Sequence, residues 1–189
     1  MNQAGLISLG ILIAAFVFQA ATSRSRKAYR TPAVFFWGSA ILIFAYYFYL
    51  VYAQYLAWKN GGGISKFLVP PYKSISYVFG YHLTRFLMYY LIAFVIAFLL
   101  MFLMARLNKK YGGRFFEAEE PYWGALSVLL LGNPAWNYAW IYYIAALLAV
   151  LLFSSIVISY WLKKRERVSL YWLWLPVAIL VSVGVMFVF

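Results

Sequence analysis

The chain contains no cysteine. That excludes disulfides, thiolate metal sites and a cysteine nucleophile, and it leaves the redox compartment open. It contains no aspartate either, so any catalytic set that needs one is excluded. Histidine occurs once, at His82. The acidic residues are only Glu117, Glu119, Glu120 and Glu166. Charged residues make up 11% of the 189 positions, against roughly 25% in a soluble domain. This chain has too little polar surface to cover itself in water. No phosphate-binding loop, metal-ligand spacing or Ser/His/Asp set occurs, and no cofactor is expected.

What the chain has is apolar length. Hydrophobic residues reach 67%, and runs of about 18 or more, enough to cross a hydrocarbon core, recur along it. The reading is an all-α, polytopic integral membrane protein with about six transmembrane helices in one domain, 1–189. The spans are expected at 4–21, 33–58, 83–105, 118–132, 136–162 and 169–189; the fourth is short, and a half-span returning to the same side is its alternative, with the strongly basic loops on either side of the fourth and fifth spans favouring a crossing. Pro32 suits the first turn of the second helix, where a missing N–H costs little. Pro176 is expected to kink the last helix. Tyrosine is dense from Tyr46 to Trp58, which places that end at an interface, where aromatic side chains with polar tips collect. Gly61–Gly63 and Pro70-Pro71 mark a loop.

The net charge of +12 does not point to nucleic acid, because the charges lie in short loops between apolar spans. Arg24, Arg26, Lys27 and Arg30 form one loop. Arg106, Lys109, Lys110 and Arg114 form the second, and Lys163, Lys164, Arg165 and Arg167 the third. These are twelve of the sixteen basic residues. The positive-inside rule then puts these loops in the cytoplasm and both termini outside. The expected location is a prokaryotic inner membrane. Arg24, Arg26, Lys27, Arg30, Lys109, Lys110, Lys163 and Lys164 are the candidate contacts for anionic headgroups, worth about 1 kcal/mol per residue near the surface. His82 and Arg85, one turn apart near the outer end of the third span, are an interfacial pair reaching toward headgroups.

Three of the four acids open the fourth span, in GRFFEAEEPYWGALSVLLLGNP from Gly113 to Pro134. There they favour the helix dipole, and Pro121 fits a first turn. Two readings stand: a helix start whose acids pair with Lys109, Lys110 or Arg114, or a carboxylate used as acid, base or ion ligand at the membrane boundary. Glu119 and Glu120 are the catalytic candidates under the second. Gly124 and Gly132 lie about two turns apart and permit close helix packing. Gln19, Ser39, Gln54 and the fifth-span serines are the intramembrane polar groups.

This layout resembles the type IV prepilin peptidase and preflagellin peptidase family of membrane aspartic proteases. FFEAEEPYWGALSVLLLG has the shape of the family's second acidic motif and the small-residue helix that follows it. Glu120 stands at the aspartate's position, counted back from Gly132. ATSRSRKAYRTP resembles the stretch after the first span, with Ser23 or Ser25 near the first acid's position. The final VSLYWLWLPVAIL is also similar. The resemblance implies a six-helix fold with two acids facing each other across an attacking water. Both family aspartates are absent, as are the glycines of the second motif. The expected function is therefore a non-enzymatic integral membrane protein, a scaffold or accessory subunit of an envelope assembly. The alternatives are a membrane enzyme using the Glu cluster and a small transporter. The expected partners are the bilayer with anionic headgroups and either a membrane-protein partner or a second copy.

Overall fold

The computed structural model describes residues 3–22, 31–113, 116–161 and 170–188. Every regular element among them is helical: α1 (Gln3–Thr22), α2 (Thr31–Asn60), α3 (Ile75–His82), α4 (Met88–Lys110), α5 (Glu120–Leu130), α6 (Ala139–Trp161) and α7 (Trp174–Val188). Helices are the required choice for apolar segments like these, because in hydrocarbon every backbone N–H and C=O must bond within the segment. A π turn at Leu83–Leu87 joins α3 to α4 without interruption. Short 3-10 turns lie at Gly63–Leu68 and Pro134–Trp136.

Four helices are long and apolar enough to span a membrane: Gln3–Thr22, Thr31–Asn60, Ile75–Lys110 and Ala139–Val157. Four of the six expected spans are matched in this way; over the other two, 118–132 and 169–189, the described helices are shorter than a span. In place of the 118–132 span stands α5, with 11 residues, about 16 Å of helix against a core of about 30 Å. Pro121 opens it and Gly132-Asn133-Pro134 ends it. In place of 169–189 stands α7, 15 residues starting at Trp174. Pro176 is its third residue, where no N–H is needed for an intrahelical bond. It marks the start of the helix instead of kinking its middle. The third expected span is longer than 83–105, running through α3, the π turn and α4.

The core of the bundle is α5. Glu120 and every residue from Trp123 to Leu130 are buried. It packs chiefly on α4, then on α2 and α7, with α1 and α6 also in contact. The outer helices turn apolar side chains outward, as Ile41, Phe48, Leu152 and Phe153 show. Two reciprocal bonds fold the chain from α4 back toward α5: Asn108 Nδ2 donates to the Phe116 carbonyl at 2.7 Å, and Phe116 N–H donates to Asn108 Oδ1 at 2.9 Å. At the far end Gly132 rests on Ala93 and on the backbone of Tyr89. From Asn108 back to Ala93 is about 22 Å along α4, so α5 runs antiparallel to α4 and deep into the bundle.

The two small residues singled out in the sequence are contact points. A side chain at Gly124 would meet the Trp174 ring at 2.9 Å, and one at Gly132 would overlap the Ala93 methyl. Beyond the Gly132 end, α2 and α3 project together. Trp58 packs on Tyr77 and Tyr81, and Tyr47 OH donates to the Phe79 carbonyl at 3.1 Å.

Candidate functional site

Where α5 begins, three elements converge on one residue. Tyr171 lies in the turn before α7, and its carbonyl accepts from Gln19 Nε2 of α1 at 2.6 Å. Its hydroxyl donates to Glu119 Oε2 at 3.3 Å. Its backbone also bonds the carboxyl of Glu120. Gln19 is fully buried and Glu120 is 2% exposed. The turn is fixed further by Trp174, whose carbonyl takes the Tyr143 hydroxyl of α6 at 3.1 Å and the Ser127 hydroxyl of α5 at 3.3 Å. Thus α1, α5, α6 and α7 are tied together at this level.

The local sequence explains the placement. Glu117 to Glu119 is not yet helical, and the Glu120 N–H donates to the Glu117 carbonyl at 3.2 Å. Pro121 then commits the chain to helix. Glu120 is therefore carried on the first inward-facing turn, with Trp123 one turn further in. Phe35 of α2 closes one side against the Trp123 ring, with centroids 5.9 Å apart.

The site is electrostatically unbalanced. Among the described residues, Glu120 Oε2 and Gln19 Oε1 are buried acceptors with no partner, and the indole Nε1 atoms of Trp123 and Trp174 are buried donors with none. Glu120 stands at the mouth of α5, outside the four spanning helices. Burial, and next the charge of Glu117, push its carboxyl up to about 7, against backbone bonds from Glu117 and Tyr171 and a pull from the Trp174 indole. That indole acts without full hydrogen-bond geometry, since its nitrogen stays unpartnered. A carboxyl held this way keeps a substantial protonated fraction near neutral pH, and in that form it can donate as well as accept.

Of the sequence candidates, the structure separates Glu119 from Glu120. Glu120 points into the bundle and Glu119 is half-buried beside the Tyr171 hydroxyl. Glu117 is exposed. All three come from one short segment, whereas an aspartic peptidase draws its acids from two separate places. Ser23 and Ser25 lie outside the described residues, as do Arg24, Arg26, Lys27, Arg30, Lys163 and Lys164. Lys109 and Lys110 are exposed on the last turn of α4. Arg85 lies 4.8 Å over the Tyr81 ring, and His82 meets the same ring edge-on; the pair docks on one tyrosine. Gln19 and Asn133 lie at opposite ends of α5, and Gln54 belongs to the projecting end of α2, so these groups do not share a cavity. Among the described residues, no three acidic, histidine or cysteine side chains converge on a metal position.

Sequence reasoning missed Tyr171 and Trp174. Pro176 was the available signal: read as a helix start, it makes the residues before it a turn, and turns supply backbone groups to bond. The arrangement as a whole defines a helical bundle with membrane-spanning helices and a buried acid–amide knot at one end. Comparison with family models, with curated proteins and with solved structures finds no match to this chain.

Proposed function

We propose that the protein is a non-enzymatic integral membrane protein, a scaffold or accessory subunit of an envelope assembly, built on a layout like that of the prepilin-type peptidases. One observation carries the reading. The Glu120 carboxyl is sealed at 2% exposure and committed to the backbone of Tyr171, so it serves to hold α5 in the bundle. A peptide substrate has no approach to it, and the neighbouring acids are in its own segment, not across a cleft. In this reading the bilayer is a prokaryotic inner membrane with the basic loops on the cytoplasmic side. There Lys109 and Lys110 meet anionic headgroups, and the lipid-facing helices contact a membrane-protein partner or a second copy.

A second reading has one observation in its favour. A carboxyl near neutrality is matched to general acid–base work at physiological pH. The two readings part in one experiment. The protein, purified into nanodiscs, is incubated with a type IV prepilin substrate beside a variant with Glu117, Glu119 and Glu120 all changed to Gln. No cleavage by either protein is expected. Cleavage by the wild type that disappears in the triple variant, while that variant still inserts and unfolds cooperatively, would overturn the non-enzymatic reading.

A further inference from the structure

Among the described residues, no side chain fills the gap between α1 and α2. These helices follow each other in the chain, yet they barely touch, and α5 and α4 stand behind the opening. A slot of about 50 Å³ lies there. Ile7 and Ile11 of α1 form one wall and Leu42 of α2 the other, with Leu130 and Phe86 at the back. Ile7 and Leu42 form its rim, at 44% and 47% exposure. Ser8 and Tyr90 also border the slot, but their hydroxyls are buried against each other at 3.3 Å. No charged side chain lines it.

The surroundings decide the occupant. Both α1 and α2 are long and apolar enough to span the membrane, so the slot opens onto hydrocarbon. An apolar void forfeits dispersion contacts along its whole lining, and the only mobile matter at that depth is lipid tail. A helix from another protein, about 10–12 Å across with its side chains, cannot enter so narrow a space. An extended methylene chain, one carbon wide, can. Along α1 the lining runs from Ala4 to Ile11, about 10 Å, so the slot is elongated along the helix, as a chain lying against it would be. A headgroup is excluded by the lack of charged or accessible polar lining.

We propose that the slot between α1 and α2 is an acyl-chain site, holding one tail of a membrane lipid as a fixed component of the bundle. This chain stays in place while the lipids around α6 exchange freely. The site is independent of whether Glu120 has any chemistry.

The test uses the full chain in nanodiscs of phosphatidylcholine and phosphatidylglycerol, a fraction of whose acyl chains carry a diazirine. After photolysis, labelled peptides are located by mass spectrometry. Labelling at Ile7–Ile11 and Leu42–Tyr46 is expected to exceed that of the exposed α6 stretch Leu148–Phe153 several-fold. Ile11→Trp, which fills the slot, is expected to bring it down to the α6 level. Leu42→Trp, at the exposed rim, provides the same test should Ile11→Trp fail to fold. Equal labelling of the slot and the α6 face, or slot labelling that survives in a folded Trp variant, overturns the proposal.

Discussion

Glu120→Gln tests the buried carboxyl directly, through the dependence of stability on pH. In the folded protein the carboxyl is pushed from an ordinary 4.5 up to about 7. A group whose folded pKa lies above its unfolded value stabilises the fold at pH below the unfolded value. That contribution is lost as pH rises through the folded one. The window is therefore roughly pH 4.5 to 7. At about 1.36 kcal/mol per pKa unit, the loss across it is about 2–3 kcal/mol. For a chain of this length that corresponds to a fall in Tm on the order of 5–10 °C. The assay is thermal unfolding in nanodiscs, followed by intrinsic fluorescence, at pH steps from 5 to 8. Wild type is expected to lose stability from pH 5 to about 7 and to level off above that. Glu120→Gln keeps an acceptor for the Tyr171 backbone but cannot ionise, so its curve should be nearly flat and lie above wild type at pH 8. Glu117→Gln should show a reduced slope, because the Glu117 charge is part of the push. His82 is common to all three proteins and cancels in the differences. A flat wild-type curve, or a Glu120→Gln curve with the wild-type slope, would refute the reasoning.

Two other outcomes follow from the packing and the charges. Gly132→Ala drives a methyl into Ala93 and is expected to cost about 1–3 kcal/mol, as overpacking does. Gly184→Ala, with open space around it, should be neutral or stabilising by up to about 1 kcal/mol, so equal thermal stability of the two variants would contradict the close approach of α5 to α4. The absence of native cysteine makes single-cysteine labelling clean. In cells, Lys66→Cys is expected to react with a membrane-impermeant maleimide from outside and Lys110→Cys only after permeabilisation, and the reverse pattern would invert the proposed topology.

The helical membrane class was legible because hydrocarbon allows few alternatives, and α1, α2 and α6 begin and end within three residues of their expected bounds. Which apolar run lies inside the bundle was not. Apolarity in a membrane protein does not tell a lipid-facing helix from a protein-facing one, since lipid tails are as apolar as leucine. Leu126, Leu129, Leu130 and Leu131 look in sequence like the lipid-facing Leu148 and Leu152, yet the first four are buried at the centre and the latter two are exposed. Only the punctuation differed, with Pro121 before the run and Gly132-Asn133-Pro134 after it. Glu120 was legible as the acid to watch because so few acids exist. Its partners were not, since what Tyr171 contributes is mostly backbone, and backbone groups leave no mark in a sequence.

The shortness of α5 accounts for the polar groups at its inner end. A helix of about 16 Å cannot bring its termini out to water on both sides of a bilayer. Irregular backbone at membrane depth is tolerated only where protein encloses it, so the inner terminus of α5 must find its partners inside the bundle. At the inner end Asn133 is fully buried, its Oδ1 accepts the Ala135 N–H at 2.9 Å, and the chain then turns through left-handed conformations at Asn137 and Tyr138. Tyr138 is costly in that region of backbone space, and its ring packs on Tyr89 at 5.1 Å. At the opening end no side chain caps α5; Glu119, Glu120 and Gln19 instead converge on Tyr171 and tie the start of α5 to the turn before α7 and to α1. The acids of this segment thus differ in setting, Glu117 exposed, Glu119 half-buried and Glu120 enclosed. They stand where a short buried helix starts, and the bundle around it has one carboxyl too deep to ionise freely.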